Sequence, residues 1–348
     1  MNNKNKYRLP AEWEYHEATW IGWPNNKQDW PGKFQPIPWV YGEIVRYLSR
    51  GEKVRIIIQS KEHQNKAKQV LKAVNADLNN VEFFTLKTDR NWLRDAGPQF
   101  VKNEKNETVL INFKFNAWAK YDNYKFDAKI PKMISNKLKL DLVRAKHQKR
   151  EVVLEGGSID YNGLGTIITT EECLMDNEIQ VRNKNFSKKD YEDVFNKYLG
   201  ATNVIWLNKG IAGDDTHGHV DDITRFVNPN TVVTAIETRP NDPNYLPLME
   251  NREILEGAKL VDGSGLEIVE LPMPNPVMFK GERLPASYTN YYISNYAVLV
   301  PTFNDPNDRI ALGILSELFT DRPVIGIHAV DLVWGLGTLH CLTHEQVL

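Results

Sequence analysis

Five times along the chain, two β-rich runs are followed by a stretch of helical spacing and then by one further β-rich run. The copy beginning at residue 157 is the cleanest. "GSIDYN" and "GTIITTEECLM" are two β-rich runs separated by a glycine-containing turn. "SKKDYEDVFNKYLG" follows, with Ser187 as N-cap, Asp190 in the first turn and Tyr191, Val194, Phe195, Tyr198 and Leu199 on one helical face. Gly200 ends that helix and "VIWL" closes the unit. The same order recurs in "HVDDITRFVN", "TVVTAIE", "YLPLMENREILEGA" and "LEIVELP". It recurs again in "SYTNYYISN", "AVLVPTF", "DPNDRIALGILSELF" (Asp305 as N-cap, Pro306 at N1) and "PVIGIHAV". "RDAGPQFV", "TVLINFKF", "DAKIPKMISNKLK" and "LDLV" fit less neatly. "ATWIGWP", "VYGEIVRYLSRG" and "VRIIIQ" make a degenerate fifth copy. First strands begin near residues 19, 94, 155, 219 and 288, roughly 60–75 residues apart. No module can bury its apolar face alone, and a closed ring would remove the sheet edges that an open array must protect. The first strand of each module would then line the ring centre, where Asp95, Glu155, His219 and Asp221 fall.

The remaining properties narrow the function classes. An apolar fraction of 41% with 10% aromatics supports a large core in 348 residues. The net charge of −2 leaves no basic footprint for nucleic acid, and "KHQKR" is too short to be more than a solvated face. The polar N-terminal stretch has no apolar segment of the kind a secretory signal needs, and no window approaches 18 consecutive apolar residues. Only two cysteines occur, Cys173 and Cys341, so a cytoplasmic protein with reduced thiols is expected.

Four short stretches hold the candidate chemistry, each beside a bland alternative. In "NWLRDAGPQF", Arg94 and Asp95 could simply pin a turn; Asp95 could instead point inward as a cation acceptor, with Trp92 adding an aromatic face. In "LEGGSID", Glu155 ends an apolar run and so needs a buried partner, either a core hydrogen bond or the imidazole of His219. Gly156 and Gly157 permit close backbone approach there. Cys341 follows Gly335 and Gly337 and adjoins His340; a lone cysteine is usually a small hydrophobe, but the glycine-rich approach favours a nucleophile. Cys173 alternates with strand residues and follows Glu171 and Glu172, whose charge disfavours a thiolate, so it is expected to be structural. "GDDTHGHVDD" could bind a divalent ion through His217, His219 and Asp215 or Asp221. It superficially resembles the Asp-x-His-x-Asp motif of metal-dependent ureohydrolases, but the acids of "FNDPNDR" are too far apart to complete that site. On a strand, His219 and Asp221 would share a face as an acid–base group beside a cation acceptor, which favours metal-free chemistry.

"WLRDAGP", "EGGSID", "GDDTHGHVDD", "SYTNYYISN", "VPTFNDP" and "GLGTLHC", in that order, resemble the agmatine deiminases of the guanidino-group-modifying (pentein) superfamily, in its peptidylarginine-deiminase-like branch. The resemblance runs from about residue 7 to the C-terminus. It implies an α/β fold, a five-bladed propeller of ββαβ modules with pseudo-fivefold symmetry, forming one catalytic domain over residues 1–348. It makes Cys341 the nucleophile and His219 the acid–base, with Asp95 and Asp221 gripping the guanidinium and Glu155 partnering His219. Trp92 and Asp215 are the further substrate-binding candidates, and Asp214, Trp118 and Tyr121 are placed near the mouth. The implied reaction hydrolyses agmatine to N-carbamoylputrescine and ammonia through an S-alkylthiouronium intermediate, without cofactor or metal. Where relatives carry a run of glycines before the cysteine, this chain has "GLGT". Deimination of peptidyl-arginine or free arginine is the alternative, followed by a metal-dependent amidinohydrolase and a catalytically silent binding ring. A small guanidino substrate is the expected partner, nucleic acid and membrane are not expected, and a homodimer is left open.

Overall fold

The computed structural model describes residues 6–348, so the first five residues of the polar N-terminal stretch lie outside the described part. The fold is mixed α/β, with five sheets of three or four strands and two small hairpins among the described residues. Strands Ile159–Tyr161, Thr166–Thr170 and Asn203–Leu207 form one sheet, the first pair antiparallel and the second parallel. The parallel step needs a crossover, and helix Lys188–Leu199 supplies it. Ser187 and Asp190 close a capping box at its start, and Gly200 (φ 74°) ends it in a left-handed conformation.

The same order builds Thr224–Phe226, Thr231–Ile236 and Glu267–Pro272 across helix Tyr245–Gly257. It also builds Tyr292–Ile293, Val298–Thr302 and Val324–His328 across helix Pro306–Leu318. Gln99–Asn103, Thr108–Asn112 and Leu142–Arg144 repeat it across Ile130–Leu138, with Tyr7–Arg8 added to the open edge.

The fifth sheet departs from the expectation. His16–Gly22, expected as a first strand, is the second. Its antiparallel neighbour is Thr343–Val347, from the opposite end of the chain. That strand is polar in sequence yet buried along its whole length, so hydrophobic pattern could not reveal it. Its polar groups are partnered instead: Glu345 by Arg94 at 2.7 Å, Gln346 by Trp20 at 3.0 Å. The sheet also gains helix Lys61–Ala73 and strand Val81–Thr85, beyond the repeat.

A second correction concerns where the chemistry sits. The candidate residues do not lie on the strands. They lie on tight turns preceding them: Leu93–Ala96, Gly156–Ser158, Val220–Asp222 and Leu339–Leu342, with residues 287–291 in the remaining copy. These segments touch in chain order, and Leu339–Leu342 returns to pack against Leu93–Ala96. No helix among the described residues is long and apolar enough to cross a membrane.

Candidate active site

Below the meeting point lies a buried layer of ion pairs. Glu12 accepts from Arg94 at 3.1 Å, Arg225 at 3.0 Å, His340 Nε2 at 2.9 Å and the backbone of Ile293 at 2.8 Å. These partners outweigh the cost of burial and hold Glu12 well below its ordinary range. Arg94 therefore faces this layer and not Asp95. His340 Nδ1 meets Asp221 Oδ2 at 2.7 Å, linking the layer to the site above.

Gly157 forms the floor of the site. A Cβ there would sit 2.6 Å from His219 Nδ1, 2.9 Å from Asp221 Oδ2 and 3.1 Å from Asp95 Oδ1, so only glycine lets the three converge. Asp95 accepts from the Gly157 amide at 2.9 Å and from the Trp118 indole at 2.8 Å. Burial pushes its carboxyl up; His219 opposes this, while Asp221 and Glu155 add to it. Asp221 keeps Oδ1 without a hydrogen-bond partner among the described residues, although the side chain is fully buried. An unsatisfied buried carboxylate oxygen is costly, and a cation's N–H is the natural group to fill it.

His219 is the N-cap of the Val220–Asp222 turn, not a strand residue. Nδ1 faces Asp95 at 4.0 Å and Nε2 faces Glu155 at 3.9 Å, and neither nitrogen has a hydrogen-bond partner among the described residues. Burial alone would depress its pKa; Asp95, Cys173 and Glu155 outweigh burial and push it well above the usual value. Glu155 is held at about 2, because Arg182, 3.1 and 3.3 Å from its two oxygens, and then His219 overcome its burial.

Cys341 Sγ lies 3.1 Å from Asn290 Nδ2 and 3.7 Å from Asp221 Oδ2. Burial, then Asp221, Asp222 and Asp95, push the thiol well above its ordinary range, and Asn290 opposes them. Cys173 is not on a strand: it sits in the one-turn helix Glu171–Met175, capped by Thr170. Although it packs in an apolar cluster, its sulfur lies within 4.8 Å of ligand atoms on Glu155 and His219. Those three donors could share an ion, but Arg182 already supplies the positive charge beside Glu155.

Of the four candidate ligands in "GDDTHGHVDD", His219 and Asp221 face the site together and the other two do not. His217 turns outward to Asp176 at 2.8 Å and Asp215 is held by Lys120 and Tyr121, so neither converges on His219. Asp214 accepts from Thr216, Gly218 and His219 backbone amides and serves as a brace for the loop, leaving it unfit to receive an amine.

A cavity of about 20 Å³, room for one water, leads to Cys341 between Trp92, Asp95, Trp118, Asp215 and Leu336. Trp92 stacks on Trp30 and donates to Asp29 at 3.3 Å. Outside lies a vestibule of about 490 Å³. Its walls include Asp215 and Tyr121, as expected, but also Arg90, Lys120, Lys280 and Arg283, so the mouth is not purely acidic and aromatic. The sequence reading also missed Asn290, Asp222, Arg182 and Glu12. Asn290 lay inside a quoted motif, whereas Arg182 and Glu12 carried no local signal because their partners are distant in sequence.

This fold and this constellation are those of a hydrolase acting on the guanidino group. The chain belongs to the Porphyromonas-type peptidyl-arginine deiminase family, whose model matches residues 8–346. It is 31% identical to the agmatine deiminase of Pseudomonas aeruginosa over 98% of this chain and 95% of that one. Among solved structures, it is similar to the agmatine deiminase of Enterococcus faecalis, with 27% identity, a TM-score of 0.89 and coverage of 98% and 96%. A cysteine-to-serine variant of the C. jejuni agmatine deiminase with substrate bound gives 30% identity, a TM-score of 0.87 and the same coverage.

Proposed function

We propose that this protein is an agmatine deiminase, a single catalytic domain whose five sheets form a five-bladed propeller around the site, working in the cytoplasm. The observation that carries the reading is the pair of buried carboxylates Asp95 and Asp221, one with a free oxygen, beside the Cys341 thiol. A guanidinium is planar and cationic, and two carboxylates can hold its N–H groups while leaving the carbon open to sulfur.

Cation binding also explains how a protonated thiol becomes a nucleophile. Burial does most to hold the Cys341 proton, and the neighbouring acids Asp221, Asp222 and Asp95 add to it. A guanidinium between Asp95 and Asp221 offsets their charge, so the thiol releases its proton to solvent and the Asn290 amide stabilises the thiolate. Sulfur attacks the guanidinium carbon to form a tetrahedral adduct. His219, protonated because of its acidic neighbours, gives its proton to the departing nitrogen, and the C–N bond breaks to release ammonia. The neutral imidazole then takes a proton from water. The resulting hydroxide adds to the S-alkylthiouronium carbon, the C–S bond breaks as the adduct's hydroxyl proton passes to the sulfur and restores the thiol, and N-carbamoylputrescine leaves. Trp92 and Trp118 wall the cavity, and Asp215, paired with Lys120 and Tyr121 in this structure, is the carboxylate placed to meet the distal ammonium.

The cations of the vestibule support a second reading, a substrate bearing a carboxylate or peptide, as the family's description suggests. Ammonia release from agmatine, free arginine and a blocked peptidyl-arginine, compared by kcat/KM, decides between them. Agmatine is expected to lead; no ammonia from any guanidine, or urea in its place, would overturn the proposal.

A further inference from the structure

The cavity at Cys341 is narrow, and the residues between it and the vestibule decide how a substrate's distal end is received. Asp215 lines both the inner cavity and the vestibule. In this state its oxygens are occupied: Lys120 Nζ at 2.5 Å on Oδ1 and the Tyr121 hydroxyl at 2.7 Å on Oδ2. Among the other acids of the vestibule, Glu282 lies exposed on the vestibule wall and does not line the inner cavity, and Asp214 and Asp29 are poor receptors for an ammonium. Asp214 is spent on backbone amides. Asp29 is tied to Arg90 and Trp92, and burial, opposed by those two, holds its carboxyl up at about 7.

We propose that Lys120 occupies, in the free enzyme, the seat of the substrate's distal ammonium on Asp215, so that a cationic alkylguanidine enters by displacing a built-in competitor. This rests on the reading that such a guanidine is the substrate. The two partners are unequal in the way displacement requires. The Lys120 side chain is 40% exposed and can swing into water, whereas Asp215 is 15% exposed. The Asp215 backbone is further tied to Trp118 through Gln180, whose amide donates to both carbonyls, at 3.1 and 3.0 Å. Lys120 is set in place by an unusual turn. Ala117, Trp118 and Ala119 all take left-handed φ values of 53°, 58° and 54°, which aims the Trp118 indole at Asp95 and the next side chain at Asp215. Three such residues in a row are costly for L-amino acids and persist only where the surroundings demand them.

The test compares agmatine with n-butylguanidine, which lacks the distal ammonium, in wild type, Lys120→Met and Lys120→Arg, with melting curves to confirm folding. A partly exposed ion pair is weak, so removing the competitor is expected to lower KM for agmatine by about 2- to 5-fold. KM for n-butylguanidine should move by less than about twofold, and Lys120→Arg should restore the wild-type KM for agmatine. An unchanged or raised agmatine KM in folded Lys120→Met overturns the competitor. Selective loss of free-arginine turnover in that variant overturns it too, making Lys120 a carboxylate receptor. A wild type inactive on every guanidine would instead overturn the function proposed above.

Discussion

At the residue scale, the proposed chemistry depends on a thiol that starts protonated beside an imidazole that starts charged, and the thiol yields two predictions. Cys341→Ser should fold normally and lose at least about 10³-fold in kcat, because a hydroxyl cannot become the anion that the guanidinium carbon needs. Retained turnover in a folded variant would remove Cys341 from the mechanism. Asn290→Ala should act through the same thiol. Its amide donates to sulfur at 3.1 Å and favours the thiolate, so its loss raises the thiol pKa further. The limb of the kcat/KM profile that follows thiol ionisation should therefore move to higher pH. A uniform drop without that movement would make Asn290 a packing residue only. Cys173, expected from sequence to be a bystander, sits close enough to His219 and Glu155 that its substitution tests the imidazole's environment as well as the core.

At the element scale, the repeat was legible wherever a helix was amphipathic and capped, as in Lys188–Leu199 with its Ser187–Asp190 box. Ser187→Ala should cost about 1 kcal/mol, read as a lower denaturant midpoint at constant m-value; a midpoint equal to wild type would show that water replaces the cap. What the sequence hid were the tight turns. Leu93–Ala96, Gly156–Ser158 and Val220–Asp222 are too short to show periodicity, and a strand assignment for His219 and Asp221 followed from their spacing of two. The residues themselves were legible because Asp, Glu, His and Cys beside glycines are chemically conspicuous. Their partners Arg182 and Glu12 were not, since only the fold brings them near, and Asn290, though inside a conspicuous motif, bears no titratable group to mark it. Gly157→Ala is the sharpest test of these turns. Its methyl would press on His219, Asp221 and Asp95 together, so activity should fall by about 100-fold or more. Near-wild-type activity would mean the floor can shift, and convergence on Gly157 does not set the geometry.

At the scale of the whole molecule, His16–Gly22 pairs with the last strand of the chain, which closes the fifth sheet. Thr343–Val347 follows the nucleophile's turn directly, so anything that loosens the strand loosens the site. His344 gives that coupling a pH dependence. It is buried, with Nε2–H donating to the Pro98 carbonyl at 2.7 Å. Burial brings its pKa down from 6.5 to about 4, against the pull of Glu345. Between those values the unfolded chain takes up a proton that the fold refuses, so stability falls as pH falls through that window. The full shift corresponds to about 3 kcal/mol, present above pH 6.5 and lost by pH 4. His16 acts in the opposite direction. Burial lowers its pKa, but Glu52 more than offsets this and raises it, so the stability it contributes is present at low pH and lost as pH rises. The measurement must therefore be a difference between proteins and not a single curve. His344→Gln keeps a donor toward Pro98 and cannot titrate. It should be less stable than wild type near pH 7 and show a flatter decline in denaturant midpoint between pH 6.5 and 4, with activity surviving to lower pH. Equal slopes for the two proteins across that interval would show that the closing strand does not sense acid through His344.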